Sequence, residues 1–167
     1  MSTALARIAV GVVVERRPAT NPWIEHVWRP IGVLTGVPEA APWTSLPGAS
    51  GADTFYAGAA EVELHRTETA NYQDNLTSGQ PSLWVVLRPT DGDPPFTVVT
   101  VTADPAEGEA FTETATDLVE AVPMPESIAE AVAAFVAEHH VERTFEKRKR
   151  DRADPEALGR RRTEESR

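Results

Sequence analysis

Alternation of apolar and polar residues predicts several β-strands in the first three quarters of the chain. The clearest alternation runs from Phe55 to His65, where apolar residues share one face and Glu61, Glu63 and His65 share the other. A period of two is typical of a strand with one buried and one solvated face. Apolar and β-branched runs predict further strands over 9–15, 26–34, 82–88, 96–102 and 117–122.

Prolines and turn residues separate these predicted strands. Six of the 14 prolines lie between residues 18 and 47, and such a density excludes a helix there. The strand over 26–34 must therefore place Pro30 at a sheet edge or a bulge, and residues 35–53 are predicted to form a long loop. The turn-rich segment 89–95 predicts that strands 82–88 and 96–102 form an antiparallel hairpin.

Two helices are expected near the end of the strand-rich region. Asp104, Pro105 and Glu107 supply an N-cap, a first-turn proline and an acid, which predicts one or two helical turns. A longer helix begins at Pro125, and its apolar stripe comprises Ile128, Ala131, Val132, Phe135, Val136 and His139. No glycine or proline interrupts the chain before Pro155, so this helix is expected to continue through Phe145 toward Arg150.

Strands followed by a helix favour the α+β class. We expect an antiparallel sheet or half-barrel of about five to six strands, a long C-terminal helix and a charged tail. Residues 1–142 would form a single domain, and residues 143–167 a basic tail that is helical or partly disordered.

Charge divides the chain at the same place. Residues 1–142 contain six arginines and 20 acidic residues, a net charge of −14, whereas residues 143–167 contain ten basic and six acidic residues, a net charge of +4. An acidic body repels phosphates, so nucleic-acid binding is not expected of it. Binding of nucleic acid through the tail alone is a weaker alternative, and its signature would be a steep loss of affinity with salt.

Several kinds of chemistry are excluded by the residues themselves. The chain has no cysteine, which removes disulfides, iron–sulfur ligation and thiol nucleophiles. It has no phosphate-binding glycine loop and no Gly-x-Ser-x-Gly nucleophile motif. Its longest apolar run, Ile8 to Val14, is too short to cross a bilayer. We therefore expect a cytoplasmic, non-catalytic protein without a cofactor.

The histidines and carboxylates leave one alternative open. A metal site could combine His139 with His26 or His65 and a glutamate, but His139 and the neighbouring His140 face about 100° apart on a helix and would not chelate one ion. His139 is instead expected to make an orienting hydrogen bond in the core. Pairs of carboxylates arise by chance among 26 acidic residues. The alternative is a small-ligand-binding protein or an enzyme with a pocket lined by Trp84, His65 and carboxylates of the sheet.

The four tryptophans divide into two predicted groups. Trp28 and Trp84 lie within predicted strands and are expected in the core. Trp23 and Trp43 lie beside prolines in predicted loops, and exposed tryptophans are enriched at protein interfaces. Trp23 and Trp43 are therefore candidate partner-binding residues.

Three groups of segments, in this order, resemble an uncharacterised bacterial family of domains of unknown function, family 3305. The first group is VGVVVERR (10–17), Trp23 and VWRPIGVL (27–34). The second is YQDNL (72–76) and PSLWVVLR (81–88), and the third is VEAVPMP (119–125), FVAEHHV (135–141) and FEKRKRDRADPEAL (145–158).

The resemblance implies an accessory role. Members of the family are similar to small proteins encoded beside molybdenum-dependent formate dehydrogenase genes, which implies assistance in maturing that enzyme. The basic stretch also matches the family pattern. The resemblance therefore implies a larger protein partner, a formate dehydrogenase subunit. An acidic surface of this partner would contact Lys147, Arg148, Lys149, Arg150 and Arg152.

Overall fold

The computed structural model describes residues 3–48 and 51–140, and within them the chain has an α+β fold. Its strands are β1 (Ala6–Pro18), β2 (His26–Thr35), β3 (Thr44–Leu46), β4 (Asp53–Leu64), β5 (Ser82–Pro89), β6 (Phe96–Thr102) and β7 (Leu118–Pro123). A 3-10 turn (Arg66–Glu68) leads into α1 (Thr69–Leu76), and α2 (Pro105–Phe111) follows β6. A third helix, α3, runs from residue 126 to residue 140, where the described part of the chain ends.

The strands form two antiparallel sheets, which corrects the prediction of one sheet or half-barrel of five to six strands. The first sheet has the order β2-β1-β4-β3, and the second has the order β6-β5-β7. Strand β4 lies beside β6, and β2 lies beside β7, but neither pair joins the sheets into a closed barrel. The predicted loop over 35–53 was also wrong in part, because β3 pairs with β4 inside it.

The predicted hairpin of β5 and β6 is confirmed, as is the position of Pro30. Pro30 lies in the edge strand β2, where the register with β1 skips Ile31. Further register shifts skip Ala57 in β4 and Val99 in β6. Bulges of this kind bend strands and increase their twist, so the two sheets curve around one core.

That core is built mainly from alternate residues of the central strands. Val10, Val12 and Val14 of β1 are fully buried, and they meet Leu83, Val85 and Leu87 of β5 in one cluster. The predicted C-terminal helix is confirmed within the described residues, since α3 buries Ile128, Val132, Phe135 and Val136 against the same cluster. Its expected continuation toward Arg150, and the predicted tail over 143–167, lie outside the described residues.

Helix α1 was missed from the sequence because its buried face is polar. Thr69, Tyr72 and Asn75 recur every three residues and are buried, so no apolar stripe marks the helix. The Asn75 amide donates to the carbonyls of Ser82 (2.8 Å) and Ala103 (2.9 Å), and its oxygen accepts from the Ser82 backbone N–H (2.9 Å). This residue thereby fastens the start of β5 to the end of β6.

Helix α2 covers the outer face of the second sheet. It begins where predicted, with Asp104 accepting hydrogen bonds from the backbone N–H groups of Ala106 (2.9 Å) and Glu107 (3.4 Å). A Cβ added to Gly108 would lie 2.3 Å from Cγ of Trp84. Glycine is required there because the helix backbone rests directly on the indole ring.

Candidate functional site

The turn between β1 and β2 carries the most exposed tryptophan in the described chain. Trp23 is 89% exposed, and its backbone N–H donates to the Asn21 side chain at 2.9 Å. The next residue, Ile24, is also exposed, and its N–H donates to the Asn21 carbonyl (3.2 Å). The turn is therefore ordered by hydrogen bonds while it presents two large apolar side chains to solvent.

Exposed apolar residues continue from this turn along the edge strand β2. They are Val27, Ile31 and Leu34 in β2 and Val37 just after it. We name Trp23, Ile24 and these four residues the apolar stripe. Arg29 of β2 lies between members of the stripe and ion-pairs with the buried Glu15 of β1.

Trp43, the second tryptophan predicted to bind a partner, lies in a different environment. Its indole is half-buried and contacts Trp28 and Phe55, with ring centroids 5.8 and 6.0 Å apart. Phe96 of β6 also packs on Trp28, at 5.9 Å. The guanidinium of Arg16 lies 5.5 Å from the Trp28 ring centre and 5.1 Å from that of Phe55. We name these five residues the aromatic cluster.

Trp43 also has an unusual backbone conformation, with φ at 72°. A bulky residue is disfavoured there by more than about 1 kcal/mol, so the surrounding contacts must hold it. Its N–H donates to the Tyr56 carbonyl, which supplies one such contact. Of the two predicted interface tryptophans, the structure thus exposes Trp23 and packs Trp43 against the core.

A cleft of about 570 Å³ lies between β4 and β6. Five consecutive residues of β6, Val98 to Thr102, line it. Successive residues of a strand point to opposite faces, so a cleft lined by five in a row faces the strand's edge. Within the described residues, β6 is hydrogen-bonded to β5 alone, and β4 beyond Tyr56 is bonded to β1 alone. The cleft is therefore bordered by the edges of β4 and β6, and Ala9 of β1 and Val37 complete its lining.

Acidic side chains dominate the polar lining of this cleft. Glu61 and Glu63 of β4, His65 just after β4 and Glu107 of α2 border it. Nε2 of His65 lies 3.4 Å from a Glu63 carboxylate oxygen, and Nδ1 lies 3.2 Å from the Thr3 hydroxyl. Among the described residues, no lysine or arginine lines the cleft, so its charge favours a cationic occupant.

A buried tyrosine, Tyr72, is hydrogen-bonded to the backbone of His65 at the border of the cleft. The hydroxyl of Tyr72 accepts a hydrogen bond from the His65 backbone N–H at 2.9 Å. Burial, the largest cause, and the carboxylates of Asp104, Glu68 and Glu107 together raise the pKa of Tyr72 to about 12, against the lowering effect of that hydrogen bond. The Tyr72 hydroxyl therefore stays protonated and structural at neutral pH.

The residues predicted to line one ligand pocket lie in different depressions of the surface. His65 and Glu107 also border a second hollow of about 420 Å³, which Glu68 and Asn71 line. Trp84 lines a third, of about 370 Å³, with Asp74 and Pro105. The structure thus brings His65 together with carboxylates of the sheet, but it places Trp84 in a different depression.

The histidines form no metal centre in the part of the chain that the structure describes. No group of three or more histidine or acidic side chains there could hold an ion. The hydrogen bond predicted for His139 is also not formed at Nδ1, because this buried atom has no partner among the described residues. The ring instead packs on Phe135 with centroids 4.4 Å apart, so aromatic contact replaces the expected hydrogen bond.

The basic residues predicted to bind a partner lie outside the described residues. They are Lys147, Arg148, Lys149, Arg150 and Arg152. Among the described residues, no helix is both long enough and apolar enough to cross a membrane.

Comparison with protein families agrees with the order of segments noted in the sequence. The model of a family described as "Protein of unknown function (DUF3305)" matches residues 9–149. The chain belongs to this family. The matched range includes the apolar stripe, both strand edges of the cleft and part of the basic stretch. No curated protein and no solved structure matches the chain.

Proposed function

We propose that this DUF3305 protein is a non-catalytic accessory protein that acts by binding a larger protein partner. The observation that carries the proposal is the apolar stripe, with Trp23 89% exposed at its end. Monomeric proteins rarely expose large contiguous apolar patches without a use for them. Tryptophan is enriched among the residues that dominate interface energies, and so is arginine, which Arg29 supplies within the stripe.

The geometry of β2 favours a protein partner over a small ligand. The stripe follows the whole length of a ten-residue edge strand, which at about 3.3 Å per residue is roughly 33 Å. A small molecule requires a concave site, whereas exposed apolar side chains along a strand fit the surface of another protein. The partner would bury Trp23 and Ile24 and contact β2.

The proposed partner is a subunit of a molybdenum-dependent formate dehydrogenase, during its maturation. The support is the resemblance to proteins encoded beside such genes, which is an association and not a physical argument. Lys147, Arg148, Lys149, Arg150 and Arg152 would add contacts to an acidic surface of that subunit. The proposal places this protein in the cytoplasm, where a subunit would be met before assembly.

Affinity purification from the native cell tests this function. The tagged full chain is recovered from cells grown with molybdate and formate, and formate dehydrogenase subunits are quantified by mass spectrometry. We expect stoichiometric recovery with the natural sequence and at least a tenfold loss with Trp23→Ala. Leu5→Ala is the matched control, because Leu5 is 56% exposed but lies outside the stripe. Recovery that is equal for Trp23→Ala and the natural chain would contradict the proposal.

The cleft between β4 and β6 favours a second candidate, a small cationic ligand. Its volume of about 570 Å³ is within the range of ligand sites, and Glu61, Glu63 and Glu107 supply negative charge. Native mass spectrometry of the freshly purified protein distinguishes this candidate. A bound mass lost in Glu61→Gln would support it, and a mass equal to the bare chain would reject it.

A further inference from the structure

We propose that the basic segment 143–152 of this chain docks in the acidic cleft between β4 and β6. The cleft offers two strand edges and a negatively charged border, and the chain itself supplies an occupant of opposite charge. The same basic residues are proposed above to contact a partner, so a partner that binds them would displace the segment from the cleft. The docking is therefore tested on the chain alone.

The described chain ends close to this cleft. Nδ1 of His140, the last described residue, lies 3.2 Å from the hydroxyl of Thr69. Thr69 follows the 3-10 turn Arg66–Glu68, and His65, which borders the cleft, precedes it. Because such a turn rises about 2 Å per residue, His65 lies within about 10 Å of Thr69 along the chain. Five extended residues span up to about 18 Å, so residues soon after 142 can reach the cleft.

The charges of the segment and the cleft are complementary. Residues 143–152 contain six basic and two acidic residues, a net charge of +4. Glu61, Glu63 and Glu107 border the cleft, and Glu68 lies on the path to it from Thr69. Among the described residues every lysine or arginine is an arginine, and Arg7 lies 3.8 Å from Glu63. The run with the most positive charge therefore follows, in sequence, soon after the end of the described chain, which lies near the acidic cleft.

Tethering makes a weak contact sufficient. A segment joined by a short linker has an effective concentration in the millimolar range, so even a modest affinity keeps the cleft occupied. An extended segment could also pair with the β6 edge through its backbone, as peptides do when they add a strand to a sheet. Attraction between opposite charges would then select this segment over other parts of the chain, and backbone hydrogen bonds would hold it at the strand edge.

The absence of cysteine allows a direct test in the full chain. A single Ala153→Cys substitution carries a nitroxide spin label just beyond the segment, and amide signals of the isotopically labelled protein are recorded by NMR. We expect the amide signals of residues 59–63 and 98–102 to lose at least half of their intensity. The intensity should recover in 1 M salt, where the Debye length falls to about 3 Å.

Matched variants separate docking from chance proximity. Glu61→Gln combined with Glu107→Gln removes two cleft charges and should restore most of the lost intensity. Glu109→Gln combined with Glu113→Gln removes the same charge from exposed positions that do not line the cleft, and should change nothing. Both pairs keep the size of the side chains, and melting curves check that each variant folds.

Each alternative result overturns the proposal. Undiminished signals from both strand edges, or losses that the cleft variant does not reverse, would show that the segment lies elsewhere. A loss of amide signal in a mixture of isotopically labelled chains and separate spin-labelled chains would show that the segment of a second copy occupies the cleft. Because no partner is added, failure here leaves the function proposed for Trp23 untouched, and the reverse also holds.

Discussion

The turn that bears Trp23 and the aromatic cluster that contains Trp43 put the same residue type to opposite uses. Trp23 has no ring partner among the described residues and is 89% exposed. Trp43 meets two aromatic rings within about 6 Å and has a backbone conformation that only such contacts can hold. The local sequences are alike, since each tryptophan follows a proline directly.

Proximity to proline therefore does not decide whether a tryptophan packs against the core or is exposed to solvent. The deciding factor is what the chain does next. After Trp43 the chain enters β3, which pairs with β4 and carries the ring onto Phe55 and Trp28. After Trp23 it enters the edge strand β2, which directs the turn away from the core. Four measurements sharpen this contrast, beginning with the largest expected effect.

Removing the packed ring should cost the most stability. Trp43→Ala is expected to lower the free energy of unfolding by about 3 kcal/mol, because it removes the ring contacts and leaves the φ of 72° without compensation. Urea denaturation followed by tryptophan fluorescence measures the change. A loss below about 1 kcal/mol would mean that the cluster contributes little and that Trp43 is available for another role.

A buried aromatic residue should also make stability depend on alkaline pH. The folded pKa of Tyr72 is about 12 and the ordinary value is 10.0, so folding favours the protonated hydroxyl. The stabilisation is complete below pH 10 and is lost as pH rises toward 12, by about 2 to 3 kcal/mol. Urea midpoints at pH 9, 10 and 11 measure it, and Tyr72→Phe should flatten the dependence. The sequence has two tyrosines and two lysines, so few other groups titrate in this range.

The cation within the aromatic cluster should contribute less than the ring. Arg16→Gln is expected to cost about 1 kcal/mol, because Arg16 lies over two rings and bonds to Asp53 at 2.7 Å. Arg7→Gln is the control, since Arg7 is an exposed partner of Glu63 at 3.8 Å and should cost less than about 0.5 kcal/mol. Equal losses for the two variants would show that the rings add nothing to the ion pair.

The exposed tryptophan should contribute least to stability. Trp23→Ala is expected to change the free energy of unfolding by less than about 0.5 kcal/mol, because the ring has no packing to lose. The melting temperature of the variant checks this. A loss comparable to that of Trp43→Ala would remove the contrast between the two regions.

Much of the fold was predictable because it depends on local patterns. Strong alternation in β4, turn residues between β5 and β6, and the cap at Asp104 each predict an element from its own residues. Helix α1 was hidden because Thr69, Tyr72 and Asn75 bury polar groups that are satisfied only by distant partners such as Ser82 and Ala103. The separation into two sheets depends on how β4 meets β6, which no local pattern encodes.

The candidate sites were predictable only in part, for the same reason. Loop position and residue type pointed correctly to an exposed Trp23, but the environment of Trp43 depends on contacts with Phe55 and Trp28. The acidic face of β4 was visible as Glu61, Glu63 and His65. The edge of β6 that faces β4 could not be predicted. These two strands are adjacent in space but distant in sequence, and no residue pattern links them.

Trp23 and the apolar stripe are proposed to bind a protein partner, and a measured affinity for that partner tests this binding. Calorimetric titration of the full chain into the purified catalytic subunit of the formate dehydrogenase from the same cell gives the dissociation constant. We predict measurable binding that Trp23→Ala weakens at least tenfold, with Leu5→Ala unchanged and all melting temperatures alike. No binding by the natural chain, or equal binding by Trp23→Ala, would contradict the claim.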